Sequence, residues 1–202
     1  MIDKGMDGED VMIDDMIVSS NLGAERANYW KQAKEAGNTK WRPLDTGFWK
    51  VNVDAAILGS AVNGLGVVIR DEHGHVGRAA VKEVHQCWEP CIAEAKAALF
   101  SLQVVRQMGI DKVVLESDSL QLVTLLRNTL ASYMGNMVRD IPSLARNFEV
   151  VCFDFVRSGN RVMHCLAHYF PIDYSPLIWV DIVPDCIGDV VAADFDFIST
   201  FD

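Results

Sequence analysis

The sequence predicts an α/β domain built on a mixed five-stranded sheet, in which three antiparallel strands are followed by parallel additions and helices flank the sheet. Three observations carry this prediction. Three strand-like segments come first, with no helical pattern between them. A turn signal joins the second of these segments to the third. Each later strand-like segment is reached through a segment with helical spacing, which is typical of parallel strands.

The first three strands form an antiparallel meander. Residues 48–55 (FWKVNVDA) alternate between apolar and polar side chains, which is the period-two pattern of a strand. Residues 64–71 and 76–85 form two further strands, and Gly74 in the connection DEHGH predicts a hairpin between them. Gly66 lies inside the second strand, where a glycine more often marks a bulge or a close backbone approach.

Helices and strands alternate in the rest of the domain. Residues 91–108 carry apolar side chains at helical spacing, with Pro90 able to open the helix and Gly109 closing it. Residues 112–116 (KVVLE) are a short, almost continuous apolar run, as expected of a buried central strand. The remaining segments predict two helices, a fifth strand and a closing helix, at residues 118–128, 135–147, 149–156 and 159–169.

The charge distribution divides the chain of 202 residues into three parts. The net charge is −10, but residues 41–170 hold 13 acidic and 13 basic side chains. We predict a folded domain over residues 48–170. It follows an N-terminal tail, residues 1–47, with a short helix and a connector. The last part, residues 171–202, alternates seven aspartates with bulky apolar groups. Such a tail is either a disordered segment for a protein partner or partly packed on the domain.

Several classes of protein are excluded by composition. No apolar stretch reaches the roughly 18–20 residues that a membrane helix needs. The N-terminus lacks the basic and apolar regions of a secretory signal and is too acidic for a transit peptide. Five cysteines is an odd count, and without a secretory signal we expect reduced thiols and an intracellular location, with nucleus and cytoplasm both open. A neutral domain would bind polyanions only through a local patch or through metal ions.

Three carboxylates lie at positions where chemistry is expected. Asp54 lies near the end of the first strand, Glu94 near the start of the long helix, and Asp118 directly after the buried strand. Carboxylates that converge at one end of a sheet repel one another unless a cation lies between them, and oxygen ligands suit Mg²⁺ or Mn²⁺. Each residue also has an ordinary interpretation: a strand-end aspartate, a favourable helix-dipole residue and a helix N-cap, respectively.

Five runs in order extend this interpretation: WKVNVDAA, GLGVVIRDEHGHV, AEAKAAL, VVLESDS and FVRSGNRVMHCLA. Together they resemble the type-1 ribonuclease H domain, most closely its plant reverse-transcriptase-like branch, which is often retrotransposon-derived. The resemblance covers roughly residues 48–170. It implies a ribonuclease H-like fold and endonucleolytic cleavage of the RNA strand in RNA–DNA hybrids with two Mg²⁺ ions.

The resemblance also implies roles for individual residues. Asp54, Glu94 and Asp118 match the metal ligands of the family. The fourth ligand is an aspartate in well-studied members, and His164 stands at that position, as is common in the plant branch. Neutral imidazole is a poorer Mg²⁺ ligand than aspartate, so we expect weaker binding of the second ion and a shift toward Mn²⁺. His168 lies four residues later, and we interpret it as a surface or packing histidine.

Two other functions remain open at this stage. The domain could bind hybrids or single-stranded RNA with little or no cleavage, or it could be a retrotransposon remnant whose tails recruit proteins. The intact Asp54, Glu94 and Asp118 set favours the nuclease. His164 and the absence of a histidine in FDFVRSGN, before the last helix, favour the binding module, since some members carry a mobile catalytic histidine there.

Overall fold

The computed structural model describes residues 44–58, 62–86, 88–127, 135–156, 161–169 and 176–198. The predicted N-terminal helix, residues 24–37, lies outside these ranges. Among the described segments, no helix combines the length and the apolar character needed to cross a bilayer.

The sheet has the predicted mixed arrangement. Its strands are β1 (Trp49–Leu58), β2 (Val62–Arg70), β3 (Val76–Val84), β4 (Lys112–Ser117), β5 (Val150–Phe155) and β6 (Leu177–Val180). They lie in the order β5-β4-β1-β2-β3-β6. The first three strands pair antiparallel, whereas β4 pairs parallel with both β1 and β5. The prediction of an antiparallel meander with parallel additions is therefore confirmed.

Within the described ranges, five helices accompany the sheet. They are α1 (Pro90–Gln107), α2 (Leu120–Arg127), α3 (Gly135–Ala145), α4 (Arg161–Ala167) and α5 (Gly188–Ile198), the last preceded by one 3₁₀ turn. Pro90 is the first residue of α1, and Gly109 follows its end with φ of 71°, the left-handed conformation that glycine adopts without strain.

One face of the sheet forms the larger apolar core. The alternating side chains of β1, β4 and β5 on this face pack against buried residues of α1, α2 and α3. Val53, Leu115 and Phe153 are fully buried there, and Leu102 contributes from α1. This layer places the start of α1 beside the sheet.

The opposite face forms a second core over β2 and β3. Val68 and Val81 pack there against Met163 and Leu166 of α4. Ile187 and Val191, from the end of the chain, belong to the same cluster and are buried. This core holds α4 against the sheet.

The described residues form a sheet with one strand more than the five predicted, because part of the segment 171–202 joins it. β6 pairs antiparallel with β3, so that Ala79 lies opposite Trp179. Without β6, the outer edge of β3 would leave backbone groups without hydrogen-bond partners, and an added strand satisfies them. Of the two interpretations of this segment, the described residues follow the packed one.

Candidate active site

Strand register brings two of the three predicted carboxylates together. In the parallel pair of β1 and β4, Asn52 lies opposite Glu116. Asp54 and Asp118 each follow two residues later, so they lie at the same end of the sheet. Glu94 reaches the same place from the start of α1. One carboxylate oxygen from each of the three residues lies within 4.8 Å of the others.

Two of the three carboxylates, Asp54 and Glu94, lie in an environment that disfavours their negative charge. Burial raises the pKa of Glu94 to about 8, and the charges of Asp54 and Asp118 add to this effect. Burial and then Asp118 raise the pKa of Asp54. The Ala55 backbone N–H, which donates to Asp54 Oδ1 at 2.8 Å, opposes that shift. Asp54 and Glu94 therefore hold protons more tightly than isolated carboxylates do.

This arrangement fits a divalent cation. Glu94 Oε2 is buried and accepts no hydrogen bond within the described part of the chain. A buried carboxylate oxygen without a donor is costly, and a cation would satisfy it. Three hard oxygen donors favour Mg²⁺ or Mn²⁺ over softer metals. Asp54, Glu94 and Asp118 are the residues that would hold the ion.

His164 lies at the edge of this cluster on α4. Its Nδ1 is 3.6 Å from Asp54 Oδ2, and its side chain is 72% exposed. A protonated imidazole at this distance favours the ionised form of Asp54 and so lowers the pKa of that carboxyl. The structure therefore brings all four predicted site residues to one region.

His168 is exposed, but it also belongs to this region. Its Nδ1–H donates to the backbone carbonyl of His164 at 2.7 Å, and the two ring centroids are 4.2 Å apart. This hydrogen bond leaves Nε2 as the ring nitrogen that can accept a proton or bind a metal. The spacing of four residues in the sequence indicated this pair. It did not show that the charge of a protonated His168 lowers the pKa of Asp54.

Gly66 allows α4 to approach Asp54. It is the β2 residue opposite Asp54. A Cβ at this position would lie 3.1 Å from both the backbone nitrogen of Ala167 and Met163 Cε. The close backbone approach predicted for this glycine is thus present, and it brings the helix that carries His164 next to β1.

Gly66→Ala is expected to lower the free energy of unfolding by about 1–3 kcal/mol, because the new methyl group must push α4 away from β2. Urea denaturation measures this change. Gly188→Ala is the matched control, because a Cβ there meets nothing within 4 Å. Equal stability of the Gly66 variant and the wild type would contradict the close contact.

A buried polar network lies on the same strands as the carboxylates, two residues earlier along β1 and β4. Lys50 Nζ is 2.9 Å from Glu116 Oε1, and Asn52 Nδ2 donates to Glu116 Oε2 at 2.8 Å. Asp154, the β5 partner of Glu116, is bound by Arg127 Nη2 at 2.8 Å. Burial and then Glu116 raise the pKa of Asp154 to about 6. These contacts join β1, β4 and β5 two residues before Asp54 and Asp118.

Sequence reasoning missed this network. Strand alternation assigned Lys50 and Asn52 to the face opposite Val51 and Val53, but it did not show that this face is buried. A glutamate inside the apolar run of β4 was the signal, because a buried carboxylate needs a partner.

Metal binding is expected to release protons because of the raised pKa of Glu94. At pH 7 the metal-free site holds this proton, and a bound cation expels it, so affinity for Mn²⁺ should rise as pH increases toward 8. Calorimetry of Mn²⁺ binding in buffers of different ionisation enthalpy should report release of about one proton per site at pH 7. Glu94→Gln should reduce this number, and an unchanged number would contradict the assignment.

Comparisons with known proteins identify a family and a fold to which this chain is similar. The sequence pattern of the family described as reverse transcriptase-like matches residues 52–170, which is more than half of the chain. No curated protein matches the chain.

One solved ribonuclease H1 structure shares the fold, and two further ones are similar to this chain. LC11-RNase H1, isolated from compost by a metagenomic approach, has 17% identity and a TM-score of 0.50, covering 60% of this chain and 91% of that one. RNase H1 from Halobacterium salinarum NRC-1 has 20% identity and a TM-score of 0.48, covering 59% and 91%. LC11-RNase H1 in complex with an RNA/DNA hybrid has 18% identity and a TM-score of 0.47, covering 54% and 84%.

Proposed function

Because the chain belongs to the reverse transcriptase-like family, we propose that it is a metal-dependent endonuclease that cleaves the RNA strand of RNA–DNA hybrids. The observation that carries this proposal is the meeting of Asp54, Glu94 and Asp118 within 4.8 Å at one end of the sheet. Three carboxylates in one place are unfavourable unless they bind a cation, and burial together with the neighbouring carboxylates raises the pKa of Asp54 and of Glu94. The plant, retrotransposon-derived origin and intracellular location belong to the same proposal.

Each site residue has a task in this proposal. Asp54, Glu94 and Asp118 would hold Mg²⁺, or Mn²⁺, at the place where β1, β4 and the start of α1 meet. A divalent ion in this setting supplies activation of water and stabilises charge at the scissile phosphate. His164 stands beside Asp54, with Nδ1 3.6 Å from Asp54 Oδ2, and an imidazole there can hold or pass a proton.

The domain has no net positive charge to attract the phosphates of a hybrid, because residues 41–170 are neutral overall. Recognition would therefore rely on shape, the 2′-hydroxyls and the phosphates near the metal, and would be largely independent of base sequence. This makes the hybrid duplex, rather than a particular sequence, the substrate class.

The test is cleavage of three duplexes of one sequence: RNA–DNA, RNA–RNA and DNA–DNA, each labelled on one strand. The intact chain is incubated with Mg²⁺, with Mn²⁺ and with a chelator. We expect cutting of the RNA strand of the hybrid alone, faster in Mn²⁺ than in Mg²⁺, and none with the chelator. Equal cutting of the RNA–RNA duplex, or cutting that survives the chelator, would contradict the proposal.

The second candidate is a nucleic-acid-binding module with little or no cleavage. His164 favours this candidate. It lies beside Asp54, at the position where well-studied ribonucleases H carry an aspartate. A carboxylate there would bind the second ion more tightly than imidazole does. Folded protein that binds the hybrid but cuts it in neither metal would support this candidate instead. The acidic segment 171–202 would then be a candidate contact for a protein partner.

A further inference from the structure

A second cluster of metal-binding side chains lies on the turn between β2 and β3. Asp71, His73 and His75 each offer one ligand atom, and these atoms lie within 4.8 Å of one another. Asp71 Oδ2 is 3.1 Å from His75 Nδ1 and 3.9 Å from His73 Nδ1. Both imidazoles are largely exposed, each with 70% of its side chain accessible.

The backbone of the turn holds the carboxylate in this position. Asp71 Oδ1 accepts hydrogen bonds from the backbone N–H groups of His73 at 2.9 Å and His75 at 2.8 Å. The turn is closed by Gly74 N–H donating to the Asp71 carbonyl at 3.0 Å, and Gly74 has φ of 90°, which requires glycine. One carboxylate oxygen is thus used by the backbone, while the other faces the two rings.

The separations suit a small transition-metal ion. In tetrahedral zinc sites the ligand atoms are about 3.3 Å apart, as follows from metal–ligand distances near 2.0–2.1 Å. The 3.1 and 3.9 Å separations lie on either side of this value. Two imidazoles and one carboxylate favour Zn²⁺, Ni²⁺ or Cu²⁺ over Mg²⁺. An exposed turn leaves the remaining coordination position to water.

This turn lies at the opposite end of the sheet from the carboxylate cluster. Arg70, at the end of β2, pairs with Lys50, whereas Asp54 pairs with Gly66. Four residues of strand correspond to about 13 Å. The two clusters are therefore too far apart to share an ion, and their ligand sets favour different metals.

From these observations we propose that Asp71, His73 and His75 form a binding site for a divalent transition-metal ion, separate from the carboxylate cluster. All three ligands come from five consecutive residues, so the site needs only the hairpin to be formed. A bound ion would clamp β2 to β3 at this turn.

The test uses Zn²⁺ as the probe and the full chain as the protein. Calorimetry gives the affinity, and imidazole NMR signals, assigned by comparing variants, show which histidines bind. His73→Gln and His75→Gln should each weaken Zn²⁺ binding about tenfold or more, and millimolar Mg²⁺ should not displace the ion. Glu72→Gln, in the same turn but outside the cluster, and His85→Gln are matched controls and should bind as the wild type does.

Two results would overturn this inference. One is Zn²⁺ binding that stays at the wild-type affinity in the His73→Gln variant and also in the His75→Gln variant. The other is a Zn²⁺-induced shift of the His164 and His168 imidazoles alone. Neither result depends on hybrid cleavage, so the outcome is independent of the proposed nuclease function.

Discussion

Asp118→Asn is expected to lower the rate of hybrid cleavage at least about 100-fold and to leave the fold intact. Asparagine keeps the shape of the side chain but removes one negative charge from the cluster that would hold the cation. A cation in such a site stabilises the charge of the transition state by several kcal/mol. Asp118 is exposed, so its replacement should change the free energy of unfolding by less than about 0.5 kcal/mol. Single-turnover cleavage in Mn²⁺ measures the effect.

Asp111→Asn is the matched control for this variant. Asp111 is also an exposed aspartate, but it precedes β4, whereas Asp118 follows it. Its contact with Arg106, at 3.3 Å, is exposed and contributes little to stability. This control should cleave at the wild-type rate. Equal rates for the two variants would remove Asp118 from the site.

Of the substitutions considered, Lys50→Met is expected to lower the free energy of unfolding most, by about 3–5 kcal/mol. The substitution leaves the Glu116 carboxylate without its 2.9 Å ammonium partner in a place where only 8% of that side chain is accessible. Asp154, on the neighbouring strand, would then lie beside a poorly compensated negative charge on Glu116. Urea denaturation at pH 7 measures the loss.

Lys112→Met is the control for the buried pair. Lys112 contacts Glu149 at 3.6 Å, but both side chains are partly exposed, so its loss should cost at most about 1 kcal/mol. The double variant Lys50→Met, Glu116→Gln should recover part of the stability lost in Lys50→Met, because it removes the buried charge. A Lys50 variant as stable as the Lys112 variant would contradict the role of the network.

The order and type of elements within the domain could be predicted because each has a local signal. Alternation in residues 48–55 and the glycine turn at Gly74 indicated β1 and the β2–β3 hairpin, and Pro90 and Gly109 marked the ends of α1. β6 could not be predicted in this way, because LIWV is apolar throughout and only four residues long. Within β6, Trp179 is partly buried and Ile178 is exposed, and this difference arises only when the strand pairs with β3.

The candidate site was predictable in part. The residue types and their places, near the end of the predicted first strand and directly after the buried strand, indicated Asp54 and Asp118. Spacing alone could not show that Glu94 meets them, since that depends on how α1 packs on the sheet. The raised pKa of Glu94 depends on the same packing. The ion pair of Lys50 with Glu116 joins residues 66 positions apart in the chain, and it becomes apparent only when β1 and β4 are paired.

The most direct test of the nuclease assignment is the chemical nature of the ends that cleavage leaves on the RNA. Attack by water on the phosphodiester, as a metal-dependent hydrolase performs it, leaves a hydroxyl and a monophosphate. Attack by the neighbouring 2′-hydroxyl leaves a 2′,3′-cyclic phosphate instead. We expect Mn²⁺-dependent fragments with hydroxyl and monophosphate ends, absent with Asp118→Asn. Cyclic phosphate ends, or fragments that persist in the Asp118 variant, would contradict a carboxylate-bound metal centre as the source of cleavage.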